Sequence, residues 1–352
     1  MKQELKLGRV KQDLDFDGVV QIACGHTASQ LLWAAVQLGV FDTLSATPDL
    51  TRDQIAKKIG LQSQPARILM TGLAALRLVQ KEDDRFRNTP IVERLLTRAS
   101  PDNMIGVLGW QMHIVYPTAV DLVESLKQFK NVGLRHFKGD ADNIYHRLPH
   151  NPFIEKVFHE AMFSLSNSAN AAMAKLPIFE GIRHLVDAGG GVGQNAMALV
   201  RSHPHLKVTV FDGASACDLA KTNIAKAGLE SQIDTWPGDF FVDPFPKGID
   251  AVFFGHMMTI WSPERDTSLL RRAYEALPVG GRVLIFNMMG DDDEIGPMTA
   301  ALGSPYFLTT ATGQGMMYSW HEHESFLAAA GFQQTERHIL PKDHGLLVGI
   351  KS

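Results

Sequence analysis

The apolar positions change their period halfway along the chain. From Gly18 to about Leu44 they recur at helical spacing (Ile22, Leu31, Leu32, Ala35, Val36, Leu38), which predicts one or two helices ending near Gly39. Leu50-Thr51-Arg52-Asp53-Gln54 then supplies a Thr N-cap with Gln three residues on, a capping box that opens a short helix running to Ile59 and stopping at Gly60. A second start at Ser63, with Pro65 in the first turn, leads a helix striped by Ile68, Leu69, Leu73 and Leu76. Leu78-Val79-Gln80 and Arg85-Phe86-Arg87 flank the polar Lys81 to Asp84 and read as a hairpin. Helix, helix, hairpin is the order of a winged helix. A mainly helical stretch, Ile91 to about Phe179, follows.

Beyond it the pattern becomes one of short β-branched runs: His184 to Ala188, Lys207 to Phe211, Ile249 to Phe254 and Arg282 to Phe286, separated by helical patterns. This predicts a parallel sheet of βα units. Gln333 to Leu340 and Leu346 to Ile350, after a helix over Glu322 to Ala330, are expected to close the sheet with an antiparallel edge. The expected fold class is α/β, a Rossmann-like doubly wound sheet behind a mainly helical winged-helix-like domain. The expected domains are 1–100, a helical bridge 101–180, and 181–352.

Composition narrows the function without naming it. A chain of 352 residues, 45% apolar and 20% charged, is a globular protein of about two domains. A net charge of −4 argues against a nucleic-acid-binding surface, and Asp42, Asp49, Asp53, Glu82, Asp83 and Asp84 offset the basic residues of the winged-helix half. Met1 to Asp17 alternates charges and lacks the apolar stretch of a secretory leader, and no apolar run approaches a membrane span. Cys24 and Cys217 lie far apart in sequence, so a reducing, cytoplasmic setting is expected.

The first strand of the second half runs straight into Asp187-Ala188-Gly189-Gly190-Gly191-Val192-Gly193, and a helical pattern follows. Glycines there let the backbone turn tightly and approach a ligand. The next strand ends at Asp212, placed to accept hydrogen bonds from a ribose diol, or else to cap the following helix. Gly238-Asp239-Phe240-Phe241 follows the third short strand and puts a carboxylate and an aromatic face at the same sheet edge, a pairing that suits adenine. The turn differs from the Gly-x-Gly-x-x-Gly fingerprint of dinucleotide sites, as a nucleoside without a pyrophosphate would allow.

With these motifs in order, the chain resembles the S-adenosylmethionine-dependent small-molecule O-methyltransferases that include plant phenolic, acetylserotonin and bacterial antibiotic-tailoring enzymes. Phe158-His159-Glu160-Ala161-Met162, Trp261 ahead of a helix, Pro278 to Gly281 and Ala330-Gly331-Phe332 complete the likeness, which covers nearly the whole chain. The resemblance implies a homodimer whose N-terminal halves interlock, S-adenosylmethionine as cofactor, and a small-molecule substrate. Gly189 would touch the methionine portion, Asp212 the ribose, and Asp239 with Phe240 the adenine. Asp187, Gly191, Gly255, Met162 and Ser166 would complete the cofactor site, and no metal is expected.

The likeness departs at the chemistry. Hydroxyl-methylating members carry a His two residues before the tryptophan matched by Trp261, and here that residue is Thr259. A Glu ahead of an Arg-Thr pair is matched by Met316-Met317-Tyr318-Ser319. A placed general base supplies ~10²–10⁴ in rate, whereas approximation and orientation supply ~7–11 kcal/mol, so methyl transfer survives loss of the base, with the odds moved toward a nucleophile needing little help. Thr259, His256 at the end of the fourth strand and His113 are the candidate catalytic residues. Trp110, Tyr116, Met258, Met289 and Met316 are the candidate substrate wall, the Met257-Met258, Met288-Met289 and Met316-Met317 pairs falling where such sheets bind ligands. His321 and His323, two apart on a helix, make a poor metal pair and are expected at the surface. The readings left open are methyl transfer to a small, aromatic or conjugated metabolite, a non-methylating cyclase or pericyclase on the same scaffold, and a DNA-binding regulator.

Overall fold

The structure is a computed structural model describing residues 14–352, and the side chains of all of these but 166–168. The chain divides into two compact units, one ending at Ile105 and the other beginning at Gly106.

The first unit opens with three helices, Phe16–Ala23, Gly25–Gln37 and Val40–Ala46, where sequence pattern predicts one or two. The separation comes from Cys24 and from Gly39, whose φ of 70° takes the chain out of helical geometry. The capping box forms as expected: Gln54 N donates to Thr51 Oγ1 (3.3 Å) and Thr51 N to Gln54 Oε1 (2.9 Å), opening the helix Arg52–Ile59. The helix Ser63–Ala75, the hairpin β2 (Val79–Glu82) and β3 (Arg85–Asn88), and the helix Pro90–Leu96 follow. The two-residue strand β1 (Leu50–Thr51) pairs antiparallel with β3, Leu50 opposite Phe86, giving the order β1-β3-β2. Val40, Phe41, Leu44, Ile55, Leu73 and Phe86 are buried inside this unit. The helix Phe16–Ala23 buries nothing, and Phe16, Val19 and Ile22 are exposed.

The second unit is built on a seven-stranded sheet of order β6-β5-β4-β7-β8-β10-β9. Its strands are β4 (His184–Ala188), β5 (Lys207–Asp212), β6 (Ile233–Pro237), β7 (Ala251–Gly255), β8 (Arg282–Met288), β9 (Gln334–Ile339) and β10 (His344–Ile350). β4 to β8 pair in parallel, and β10 enters antiparallel between β8 and β9, the expected edge. Successive residues of β7 supply opposite cores, Ala251 and Phe253 one and Val252 and Phe254 the other, so the sheet is covered on both faces.

Helices Pro263–Ala276 and Trp320–Ala330 pack together beside this sheet. Their buried stripes are Asp266, Leu269, Leu270, Ala273 and His323, Phe326, Leu327, Ala330. Both follow i, i+3, i+4, i+7 spacing, which carries His323 into the core with its two ring nitrogens unpartnered, contrary to the expected surface position. Two helices of this unit widen into π-turns, Gln111–Val115 after Ile105–Trp110 and Phe307–Ala311 after Met298–Tyr306. A hydrogen bond of 2.7 Å between the hydroxyls of Thr118 and Thr310 joins these segments. Among the described residues no helix is long and apolar enough to cross a membrane.

Candidate functional site

Parallel pairing brings the carboxyl ends of β4, β5, β6 and β7 to one edge of the sheet, the side on which ligands of such sheets bind. The turn after β4 needs its glycines. Gly189, Gly191 and Gly193 have φ of 72°, 54° and 82°, and a Cβ on Gly189 would run into the Met257 side chain. A Cβ on Gly191 would meet open space, so this peptide is available for close approach. Gly189 N donates to Phe211 O (2.8 Å), tying the turn to β5.

Asp212 does not cap a helix through its side chain. Its Oδ2 accepts from Gly191 N (2.8 Å) and its Oδ1 from Gly213 N (2.7 Å). Each oxygen keeps lone-pair capacity for a further donor. Burial raises its pKa against the pull of those amides. Asp187 is fully buried and neither carboxylate oxygen makes a hydrogen bond of good geometry; burial, reinforced by the Asp212 charge and only partly offset by the nearby Ala196 amide, pushes it up to about 7. An orphaned buried carboxyl beside a glycine turn fits a ligand that brings its own donor or cation.

Asp239 is exposed and closes a small turn, accepting from Phe241 N at 2.9 Å, while its own N–H donates to Asp243 Oδ2 at 2.8 Å. Phe240 is half-buried, with its ring edge-on to Phe211 at 6.2 Å. Gly255 ends β7 where a Cβ would strike the Asn195 amide, and half-buried Met162 packs on the apolar cluster that contains Met257 and Met258. His159, one turn before the Met162 level, feels the Asp212 charge, although burial lowers its pKa. The side chain of Ser166 lies outside the described residues.

Thr259 sits buried in the turn between β7 and the helix Pro263–Ala276, next to fully buried Met258. Thr312 donates from its hydroxyl to the Ile260 carbonyl, and Tyr318 donates to the Trp261 carbonyl (2.8 Å), so the 306–319 segment braces this turn. Met289 and Trp110 are buried in the same apolar cluster. Tyr116 and Met316 are 37% and 43% exposed and do not belong to it. His113 packs edge-on against Phe153 at 4.9 Å.

His256 is poorly suited to base chemistry. Its ring lies against Phe286 (5.0 Å) and His344 (5.2 Å), and burial, with a smaller push from His344, lowers its pKa to about 3. An imidazole that refuses a proton above pH 3 cannot collect one from a phenol near neutrality. Sequence reasoning also passed over Tyr145 and Tyr306, whose phenols are buried beside Trp110, and over Asp266. The Asp266 signal was present in the helical stripe; nothing in sequence marks Tyr145 and Tyr306 as neighbours. Among the described residues no group of three or more His, Cys, Asp or Glu side chains is arranged to hold a metal ion.

A doubly wound sheet with an antiparallel edge, a glycine turn and acidic strand ends define a nucleoside-cofactor enzyme. Residues 121–333 match the model of the O-methyltransferase domain and residues 20–98 that of the O-methyltransferase dimerisation domain; the chain belongs to this family and is an S-adenosylmethionine-dependent methyltransferase. It is 37% identical over 345 residues to L-tyrosine C(3)-methyltransferase of Streptomyces lavendulae, covering 97% of this chain and 94% of the relative. It is 33% identical to 3-hydroxy-5-methyl-1-naphthoate 3-O-methyltransferase of Streptomyces sahachiroi, covering 95% of both. The apo crystal structure of the S-adenosylmethionine-dependent methyltransferase SibL superposes with a TM-score of 0.84 at 37% identity, over 96% of this chain and 99% of that one.

Proposed function

We propose that this enzyme methylates a ring carbon of a small phenolic metabolite, with tyrosine-type amino acids as the acceptor class. The reading starts from Thr259, which the resemblance puts where hydroxyl-methylating members carry their base. A threonine hydroxyl cannot take a proton near neutral pH, and the adjacent His256 is held neutral. Oxygen and carbon attack both start from the ionised phenol, which without a base must arrive ionised from solution, and the choice of carbon rests on the relative named for C(3)-methylation. A ring carbon beside an ionised phenol already carries negative charge, and its own proton leaves only after the new bond has formed. The relative named for C(3)-methylation of L-tyrosine supports the acceptor class. The relatives named as methyltransferases speak against the non-methylating alternative.

The cofactor supplies an electrophilic methyl on a sulfonium. In this reading the Gly189 to Gly191 turn with Asp187 takes its amino-acid portion, Asp212 the ribose diol, Asp239 with Phe240 the adenine, and Gly255 and Met162 the adjoining walls. Met258, Met289 and Trp110 then form an apolar wall for a flat acceptor, excluding water and favouring orientation over proton transfer.

The matched dimerisation domain and the exposed Phe16, Val19 and Ile22 support a homodimer formed through the first unit. The exposed free thiol of Cys24 suits the reducing cytoplasm.

The acceptor reading is tested by incubating the protein with methyl-13C-labelled cofactor and a panel of L-tyrosine, ring-substituted tyrosines and the phenol-free L-phenylalanine and L-tryptophan, then locating the label by NMR. An aryl-methyl product is expected. A methoxy product overturns carbon transfer, and labelling only of acceptors without a phenol overturns the acceptor class.

A further inference from the structure

Three aromatic side chains to which the reaction assigns no polar role bring their polar tips together in an apolar cluster. Trp110 and Tyr306 each end a helix and each lead directly into a π-turn, Gln111–Val115 and Phe307–Ala311. Such turns are rare and concentrate at functional positions. The two rings cross edge to face, with centroids 4.8 Å apart and an interplanar angle of 71°. Trp110 is 8% and Tyr306 4% exposed, and the Trp110 Nε1 and the Tyr306 hydroxyl make no hydrogen bond of good geometry, their nearest polar neighbours being the tips of the group itself. Buried donors left without an acceptor are costly and call for an explanation.

Tyr145 completes the group. Burial first, and then neighbouring Tyr306, push its phenol well above the ordinary range; burial likewise raises Tyr306, against the weaker pull of the Tyr145 and Trp110 donors turned toward its oxygen. All three tips therefore remain donors at working pH. No cation acts on either phenol, so the site suits an oxygen of diffuse or partial charge rather than a carboxylate or phosphate. The widened turns are braced around it by the chain of hydroxyls from Thr118 through Thr310 to Thr309, the last donating to the Pro305 carbonyl at 2.8 Å. Trp110 and Tyr306 share their apolar cluster with Met257 and Met258, the residues leading into Thr259.

The geometry points to Trp110, Tyr145 and Tyr306 as the seat of the acceptor's phenolic oxygen, held by donated hydrogen bonds while a neighbouring ring carbon takes the methyl group. This rests on the carbon-transfer reading above. Donors that occupy the oxygen's lone pairs blunt its own nucleophilicity and stabilise the phenolate, whose proton is given up to solvent before the acceptor is enclosed. The electron pair of that phenolate then forms the new carbon–carbon bond as the carbon–sulfur bond breaks, and the resulting dienone, on release, loses its ring proton to water and regains a proton on oxygen. Counting the proton lost when the phenol ionised, one proton is released in all for each methyl transferred.

The test uses the full chain saturated with S-adenosylhomocysteine and two probes, 4-methylphenol and its hydroxyl-free counterpart toluene, titrated by ligand-observed NMR. The wild type is expected to prefer the phenol. Tyr306→Phe, Tyr145→Phe and Trp110→Phe should each lower phenol affinity by about tenfold, the size expected for one lost donor, with toluene affinity unchanged. A preference retained in all three variants overturns the seat. Parallel loss of both probes assigns the residues to packing and overturns it as well. The carbon-transfer reading fails separately, when labelled methyl is found on oxygen although the preference for phenol is intact.

Discussion

The proposed cofactor side and the proposed acceptor side of the second unit are built from opposite chemistry. The cofactor side consists of backbone and carboxylates: positive-φ glycines at 189, 191 and 193, Asp212 gripping two amides, and Asp187 buried without a partner. The acceptor side consists of neutral groups: methionines, Thr259, and the donor tips of Trp110, Tyr145 and Tyr306. The difference shows how the work is divided. On the proposed assignment a charged nucleoside is held by fixed dipoles and acids, while the reacting phenol is held by shape and by donors that keep their protonation state.

The largest effect that can break this comparison lies in the turn. Gly189→Val forces a branched side chain into φ 72° and against Met257, so cofactor binding should be lost in a titration followed by calorimetry, together with a marked fall in melting temperature. Asp212→Ala should weaken the cofactor by ~1–3 kcal/mol, or roughly 5- to 150-fold in Kd, through an unmatched ribose diol. Unchanged affinity would remove Asp212 from the ribose.

Asp187 sharpens the comparison through pH. Its folded pKa of about 7 lies above the ordinary 3.8, so the contribution of Asp187 to the stability of the cofactor-free protein is fully present below pH 3.8. That stability is lost as pH rises to about 7, because the folded state resists ionisation while the unfolded state does not. Melting temperatures recorded across this window should fall for the wild type relative to Asp187→Asn, whose curve lacks this contribution. Parallel curves would show that Asp187 is not held protonated.

Thr259→Val should have the smallest effect, less than ~10-fold on the single-turnover rate, because a positional contact is removed and no base is lost. Abolished turnover with cofactor affinity retained would give Thr259 an orienting role that the neutral-site account does not include.

What was legible in the sequence follows the same division. The Thr51 capping box and the Asp187 to Gly193 turn are local devices, written in adjacent residues, and both stand where their chemistry put them. The antiparallel edge was legible from the two final β-branched runs. Burial of His323 is also written locally, in its spacing to Phe326, Leu327 and Ala330, although comparison with His321 alone points to the surface. The donor group was not legible. Trp110, Tyr145 and Tyr306 come from three separate segments, and no local pattern announces either the π-turns that aim two of them or the Thr118–Thr310 contact that braces those turns. The two-residue β1 is too short to leave any periodic trace.

The central claim is that no side chain of this enzyme acts as the base for the reacting phenol. It is tested most directly by the pH dependence of the single-turnover rate, measured with a series of ring-fluorinated phenolic acceptors of graded acidity. The account predicts that the midpoint of the profile moves with the pKa of each phenol, as expected when ionisation of the acceptor itself limits the rate. A midpoint fixed at one pH for every acceptor would reveal a titrating residue of the protein and contradict the account.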